Sequence, residues 1–217
     1  NRGNAARFSR AARAMLAGIV PACVRGGNAF PFCAMKQERE TPSTQPNLIL
    51  TGFMGTGKSS VGRLLARRLK RPFVDTDKEI EKRVRRKIKD IFAEEGEAAF
   101  RALERRCVEE WLPEAGAVVA TGGGILTSPG MSEALRSRGV VVTLFASPET
   151  IFARTRGGSR PLLETEDPLA KIRALLAARE RDYLNAGIGV LTDGRTMPEL
   201  AAGILRIYRR ACRARRA

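Results

Sequence analysis

The chain has 217 residues, of which 43% are hydrophobic, and a formal net charge of +16. It contains no histidine, which excludes Ser-His-Asp and Cys-His catalysis and histidine metal sites. Its four cysteines are scattered without a CxxC pair, so neither a zinc site nor a disulfide framework is expected. The apolar runs are too short for a membrane span. The composition therefore predicts a soluble protein.

The basic charge is concentrated at the two ends of the chain. Residues 1–46 carry a net charge of +5 and residues 206–217 a net charge of +6, so the middle is only mildly basic. The first segment is rich in Ala and Arg, poor in acidic residues and interrupted by Pro and Gly. This composition is typical of an organelle transit peptide, and a disordered extension is the alternative. We place the folded domain at residues 47–217.

From Asn47 onward, short apolar runs alternate with amphipathic helical patterns. The apolar runs predict strands at residues 47–51, 72–75, 117–121, 140–145 and 188–191. The helical patterns lie at residues 58–69, 78–85, 88–95, 97–112, 131–137, 148–154, 168–185 and 198–212. Strands that alternate with helices predict an α/β fold with a doubly wound, parallel, five-stranded sheet. Ligands of such folds bind at the carboxyl ends of the strands.

A glycine-rich segment follows the first predicted strand. Residues 52–59 read GFMGTGKS, which fits the pattern GxxxxGK[ST]. The glycines permit the positive φ angles that aim successive backbone N–H groups at an anion. The lysine supplies a charge for the β and γ phosphates, and the serine a hydroxyl for Mg²⁺. The segment predicts an ATP site with Gly52, Gly55, Thr56, Gly57, Lys58, Ser59 and Ser60.

Two further strand ends carry candidate site residues. Asp75, Thr76 and Asp77 end the second predicted strand, and residues two apart on a strand point to the same side. One carboxylate can hold Mg²⁺, and the other can orient or deprotonate an acceptor hydroxyl. A glycine triplet follows the third predicted strand, where bare backbone amides can approach a ligand closely. It comprises Gly122, Gly123 and Gly124.

Two arginines suit a substrate that carries a carboxylate, because a guanidinium binds a carboxylate through two parallel hydrogen bonds. Arg101 lies on a predicted helix, three residues before Glu104, which can hold it in place. Arg179 lies on a later helix. Residues 154–160 read RTRGGSR, and basic residues around a Gly-Gly hinge suggest a mobile lid over the phosphates.

With these motifs in place, the sequence from residue 47 to about residue 212 resembles the shikimate kinases. The matching segments are GFMGTGKSSVGRLLA, FVDTDKEIE, DIFAEEGEAAFRALE, VVATGGGILT, RTRGGSRPLL and ARERDY. The resemblance implies a P-loop kinase of the nucleoside monophosphate kinase-like type. Its substrate-binding segment would span about residues 76–112, and its lid about residues 154–165. It also implies transfer of the γ-phosphate of ATP to the 3-hydroxyl of shikimate.

The resemblance further implies a role for each site residue. Ser59 and Asp75 would bind Mg²⁺, Lys58 would bind the phosphates, and Asp77 would act as the base. Arg160 would contact the transferring phosphate. Residues near adenine would be Arg154 and Pro198. The shikimate-binding residues would be Asp77, Phe92, Phe100, Arg101, Gly122, Gly123, Gly124 and Arg179.

Three departures and several alternatives accompany this prediction. Ser60 replaces the usual Thr, the lid is short, and the family's Pro between Arg179 and Tyr183 is missing. Another small-acceptor P-loop kinase (for gluconate or a nucleotide) or a non-catalytic ATP-binding relative is the alternative. Nucleic-acid binding by residues 206–216 is not expected, since Tyr208 is their single aromatic residue. A plant or algal enzyme would act in the plastid, otherwise in the cytoplasm, and we expect a monomer.

Overall fold

The computed structural model of the chain describes residues 45–156, 163 and 165–215. The predicted amino-terminal extension, up to residue 44, and the lid arginine Arg160 lie outside the described residues. The five strands are β1 (Asn47–Gly52), β2 (Phe73–Asp75), β3 (Val118–Ala120), β4 (Gly139–Phe145) and β5 (Ile188–Leu191). The α-helices within the described ranges are α1 (Lys58–Leu69), α2 (Thr76–Val84), α3 (Ile88–Glu94), α4 (Gly96–Arg106), α5 (Met131–Arg138), α6 (Pro148–Thr155), α7 (Pro168–Ala186) and α8 (Met197–Ala214).

The five strands form one parallel sheet in the order β2-β3-β1-β4-β5. Strand β1 is central, and Leu48 pairs with Val118 on one side and with Val140 on the other. The predicted doubly wound parallel sheet is therefore confirmed. The strand order brings the carboxyl ends of β1, β2 and β3 together at one edge, where parallel α/β sheets bind their ligands.

The core lies on both faces of the sheet because successive strand residues point to opposite sides. Leu48 and Leu50 of β1 pack with helices α1 and α8, for example against Val61 and Ile204. Ile49 points the other way and packs with residues from the remaining helices. Since all six residues of β1 are buried, the strand reads as a continuous apolar run, as expected for a parallel strand covered on both sides.

Two predicted elements differ from the structure. The helix expected at residues 97–112 ends as an α-helix at Arg106 and continues as a π-helical turn at Cys107–Trp111, where the Leu112 N–H reaches the Cys107 carbonyl. Hydrophobic spacing does not distinguish this wider turn from an α-helix. The helix expected from residue 78 begins two residues earlier, at Thr76. None of the helices in the described ranges is long and apolar enough to cross a membrane.

Candidate active site

A cleft of about 460 Å³ opens at the carboxyl edge of the sheet. Nine of the residues predicted for the site line this cleft, namely Gly55, Gly57, Lys58, Ser59, Ser60, Asp75, Asp77, Gly123 and Arg154. Met54, Thr121 and Met197 also line it and were not predicted. Each is adjacent in sequence to a predicted residue. Adjacency to the motifs is therefore the sequence signal that could have identified these three residues.

The phosphate-binding loop connects β1 to α1 and depends on its glycines. Gly52, Gly55 and Gly57 have φ angles of 131°, 77° and 94°, which are strained for residues with a side chain. A methyl group at Gly52 would also lie 2.3 Å from the Leu144 carbonyl oxygen. The loop therefore leaves β1 in a path that only glycine accepts. Its backbone then enters α1 at Lys58, and a helix amino terminus attracts anions.

Lys58 is nearly buried inside this loop, with 8% of its surface exposed. Its Nζ donates hydrogen bonds to the carbonyl oxygens of Gly52, at 2.7 Å, and Phe53, at 2.8 Å. The Thr56 hydroxyl donates to the same Phe53 carbonyl at 2.7 Å. The ammonium group is thereby held at the mouth of the loop with little water around it, where a point charge acts most strongly on a phosphate.

Ser59 and Asp75 form the predicted Mg²⁺ pair. The Ser59 hydroxyl donates to Asp75 Oδ2 at 3.0 Å, which joins the first turn of α1 to the end of β2. In the described ranges there is no cluster of three or more His, Cys, Asp or Glu residues that would cage a metal. Mg²⁺ in kinase sites is held by one or two protein oxygens together with water and phosphates. The two adjacent oxygen donors therefore fit this ion.

Asp77 lines the cleft, but from a different secondary-structure element than predicted. Strand β2 ends at Asp75, and Asp77 lies in the first turn of α2 rather than on the strand. Its Oδ1 atom is buried and has no hydrogen-bond partner among the described residues. Burial and the nearby Asp75 carboxylate raise its pKa to about 6, while the charges of Lys58 and Arg101 act in the opposite direction. Asp77 is therefore a buried carboxylate able to accept a proton.

Arg101 is held by two glutamates of its own helix. Its guanidinium contacts Glu104 and Glu97, each at 2.6 Å. Glu104 is fully buried, and burial raises its pKa to about 7 against the opposing effect of Arg101. The predicted brace between Arg101 and Glu104 is thus present. A planar guanidinium fixed in this way presents its remaining donors in one orientation.

The glycine triplet lies where these groups converge. A methyl group at Gly122 would lie 2.6 Å from Asp77 Oδ1 and 2.9 Å from Glu104 Oε1. One at Gly124 would lie 2.8 Å from an Arg101 nitrogen. The absence of side chains therefore permits the backbone of the triplet to pass directly beside the carboxylates and the guanidinium. This close approach was the reason for predicting a site here.

Three more predicted acceptor residues, Arg179, Phe92 and Phe100, are not among the residues that line the cleft. The Arg179 guanidinium on α7 lies 5.9 Å from the centre of the Phe53 ring. The rings of Phe92 and Phe100 lie 4.8 Å apart. Phe100 is buried, whereas Phe92 is 39% exposed, and neither lines the cleft itself. They form an aromatic pair behind Arg101, whose guanidinium lies 5.7 Å from the Phe100 ring.

At the opposite end of the cleft, Arg154 of α6 donates to the Thr192 hydroxyl at 3.0 Å and to the Gly55 carbonyl at 3.4 Å. It thereby connects the phosphate-binding loop to the segment after β5. The adenine contact was predicted near Pro198. Pro198 is exposed and does not line the cleft, whereas its neighbour Met197 does. The adenine contact therefore stays a prediction for this region.

A phosphate-binding loop, an oxygen pair suited to Mg²⁺ and a buried carboxylate at the carboxyl edge of a parallel sheet define a P-loop kinase of small molecules. The family model described as shikimate kinase matches residues 54–209. The chain is 46% identical over 175 residues to a shikimate kinase of Thermus thermophilus, which covers 79% of this chain and 95% of the relative. The chain therefore belongs to the shikimate kinase family.

Solved structures agree with this assignment. A shikimate kinase of Acinetobacter baumannii in complex with shikimate superposes with a TM-score of 0.71 at 40% identity, over 76% of this chain and 93% of that chain. A shikimate kinase of Aquifex aeolicus superposes with a TM-score of 0.62 at 34% identity, over 74% and 94% of the two chains. The similarity thus covers nearly the whole length of these relatives.

Proposed function

We propose that the chain transfers the γ-phosphate of ATP to the 3-hydroxyl of shikimate, which yields shikimate 3-phosphate in chorismate biosynthesis. The observation that carries the proposal is the position of the buried Asp77 carboxylate and the braced Arg101 beside the phosphate-binding loop. This arrangement supports an acceptor with both a hydroxyl and a carboxylate. Membership of the shikimate kinase family supports shikimate as that acceptor.

The nucleotide half of the site would bind ATP through the phosphate-binding loop. Its backbone N–H groups and the amino terminus of α1 suit the phosphate oxygens. Lys58 would stabilise the negative charge that develops on the leaving phosphate in the transition state. Arg154, held by Thr192 and Gly55, lies where it could contact the nucleotide. The role of Arg160 at the transferring phosphate rests on the resemblance to the family.

Mg²⁺, when bound, neutralises phosphate charge and polarises the phosphoryl group that is transferred. The residues that would hold it are Ser59 and Asp75, whose oxygen atoms are already adjacent. Their hydrogen bond keeps the Asp75 carboxylate turned towards the loop. It also separates the roles of the two aspartates, since Asp75 faces the serine while Asp77 Oδ1 faces the glycine triplet.

Asp77 would take the proton of the acceptor hydroxyl. With a pKa of about 6 it is ionised at pH 7 to 8, yet it is more basic than an ordinary carboxylate. As the acceptor oxygen bonds to the γ-phosphorus and the bond to ADP breaks, the proton passes to the carboxylate. Arg101 and Arg179 would bind the shikimate carboxylate, and the glycine triplet would contact the acceptor through its backbone.

The test is ATP turnover in the presence of Mg²⁺ with shikimate, gluconate or a nucleoside monophosphate as acceptor, with the product identified by mass spectrometry. We expect turnover with shikimate and a product heavier by one phosphoryl group. Faster turnover with gluconate or a nucleotide would contradict the choice of acceptor. ATP binding without turnover on any acceptor would instead favour the non-catalytic alternative.

We propose further that residues 1–46 direct the chain to the plastid. The support is their basic, acid-poor composition, and the family match begins downstream of them, at residue 54. The relatives named above are bacterial, so the proposal rests on the segment itself. Fusion of residues 1–46 to a fluorescent reporter in plant cells should place the reporter in plastids. A cytosolic reporter would contradict targeting and leave the kinase activity untouched.

We also propose that the active species is a monomer, because a single chain supplies the phosphate-binding loop, the Mg²⁺ pair and Asp77 that line the cleft. Light scattering during size-exclusion chromatography should give a mass close to 23.7 kDa. A mass of twice that value at assay concentrations would contradict this.

A further inference from the structure

Tyr183 connects α7 to the glycine triplet, across 60 residues of sequence. Its hydroxyl donates a hydrogen bond to the Gly123 carbonyl at 2.6 Å, and the side chain is only 3% exposed. Gly123 lines the cleft and passes close to the phosphate-binding loop, since a methyl group there would lie 3.1 Å from the Met54 nitrogen. The Tyr183 hydroxyl therefore holds the middle of the triplet from behind.

Arg179 lies one helical turn before Tyr183, so the two side chains share a face of α7. Burial raises the pKa of the Tyr183 phenol, while the nearby positive charge of Arg179 acts to lower it. The proximity implied by this effect agrees with the position of Arg179 at the Phe53 ring. One helix turn thus carries both a proposed substrate-binding cation and the residue that holds the triplet.

The hydrogen bond from Tyr183 matters because it holds a segment of three consecutive glycines. Glycine has access to far more backbone conformations than other residues, so a triplet loses much conformational entropy when it is fixed. The peptide group is planar and trans, so the carbonyl of Gly123 and the N–H of Gly124 belong to one rigid unit and point in opposite directions. A hydrogen bond that holds the carbonyl towards Tyr183 therefore also fixes the direction of the Gly124 N–H.

We propose that Tyr183 is a positioning residue of the acceptor site: its hydroxyl fixes the orientation of the Gly123–Gly124 peptide and its distance from Arg179. The inference rests on the proposed function, since it assumes that the triplet and Arg179 bind the acceptor. It assigns Tyr183 no contact with substrate. It predicts that the acceptor half of the cleft is pre-organised before shikimate arrives, which lowers the entropic cost of binding.

The test compares Tyr183→Phe with Tyr208→Phe. Tyr208 is a close match, because it is also buried, at 1% exposure, and its hydroxyl also donates to a backbone carbonyl, that of Pro46 at 2.5 Å. That carbonyl lies before the start of β1, and Tyr208 does not line the cleft. Each variant keeps its ring and loses the hydrogen bond to its carbonyl, and Tyr208→Phe also loses the one that its hydroxyl accepts from Arg71 at 2.6 Å. The control should therefore have a melting temperature lowered at least as far as that of Tyr183→Phe.

Only Tyr183→Phe should change the acceptor site. We expect its affinity for shikimate and its kcat/KM to fall about tenfold, which is the scale of one unsatisfied buried carbonyl group, with the KM for ATP within about twofold of wild type. The Gly124 amide should also exchange hydrogen faster in the ligand-free variant, as measured by NMR. Tyr208→Phe should show neither change.

The outcomes separate the inference from the proposed function. If the wild type phosphorylates shikimate but Tyr183→Phe keeps its shikimate affinity and its Gly124 exchange rate, the inference is overturned and the function stands. Equal losses of shikimate kcat/KM in both variants would also overturn it, since stability alone would then explain them. If the wild type does not act on shikimate, the proposed function falls, and the inference with it.

Discussion

The two halves of the cleft are built in different ways. The phosphate half is built mainly on one continuous segment, residues 52–59, to which Asp75 and Arg154 are hydrogen-bonded. Its functional groups are largely backbone N–H groups and one lysine. The acceptor half brings together Asp77 from α2, Arg101 and Glu104 from α4, the glycine triplet after β3 and Arg179 from α7. One half depends on loop conformation, and the other on buried charges from distant segments.

This difference determines what a substitution should change. In the phosphate half, the positive φ angles of Gly52, Gly55 and Gly57 shape a concavity for phosphate, so damage there should reduce turnover with any acceptor. In the acceptor half, Asp77 and Glu104 have raised pKa values chiefly because both carboxyl groups are buried. Damage there should change acceptor binding, proton transfer and pH dependence while ATP still binds.

The largest effect should come from Lys58→Ala in the phosphate half. Loss of a cation that stabilises the transition state should lower kcat by about 100- to 1,000-fold. The fold should persist, because the glycines still shape the loop. Steady-state kinetics together with circular dichroism measure both. Lys89→Ala, at an exposed lysine on α3, serves as the control and should behave as wild type. A Lys58→Ala enzyme with most of its activity would refute the assigned role.

Substitutions of the two aspartates should have different effects, because Asp75 belongs to the phosphate half and Asp77 to the acceptor half. Asp77→Asn should lower kcat for shikimate by about 100-fold or more, the scale of general-base catalysis, with ATP still bound. Asp75→Asn should instead raise the Mg²⁺ concentration needed for half-maximal rate. Titrations of Mg²⁺, ATP and shikimate with each variant distinguish the two effects. Equal losses of ATP affinity in both, with shikimate binding intact, would show that the halves are not separable here.

The acid limb of the pH profile should report Asp77 together with Glu104, whose pKa is about 7. The pKa of Asp77 is raised to about 6 by burial and by Asp75, and the base works only when ionised. We therefore expect kcat/KM for shikimate to fall about tenfold per pH unit below pH 6, while the dissociation constant for ATP changes much less. A kcat/KM that stays constant down to pH 5 would contradict Asp77 as the base.

The smallest effect should come from removal of the amino-terminal extension. A chain that begins at Thr41 should keep the kcat, the KM values and the melting temperature of the full chain, because the residues assigned to both halves of the cleft begin at Gly52. Loss of activity on truncation would place part of the functional protein in this segment.

The loop of the phosphate half could be predicted residue by residue, because its residues are consecutive in the sequence. The pattern of glycines, Lys58 and Ser59 specifies both the loop and its chemistry. The parallel sheet was also predictable, since buried strands such as β1 and β4 are continuous apolar runs. In this half the sequence order and the spatial order coincide.

The acceptor half was predictable in its members but not in its geometry. Asp77 was expected on a strand and lies on a helix, because strand propensity does not reveal where α2 begins. The hydrogen bond from Tyr183 to Gly123 spans 60 residues, and the convergence of Asp77 and Glu104 on Gly122 spans three segments. Such contacts depend on tertiary packing, which local patterns do not encode.

Recognition of a carboxylate by the acceptor half can be measured directly with shikimate and its neutral carboxamide, each assayed on the wild type and on Arg101→Lys. The lysine keeps the charge but cannot form the bidentate pair, and loss of such a pair costs about 2–5 kcal/mol. We predict that the wild type strongly prefers shikimate, that Arg101→Lys loses most of this preference, and that the KM for ATP is nearly unchanged in both. If the wild type phosphorylated the carboxamide as efficiently as shikimate, the arginines would not recognise a carboxylate. The proposed acceptor site would then be wrong.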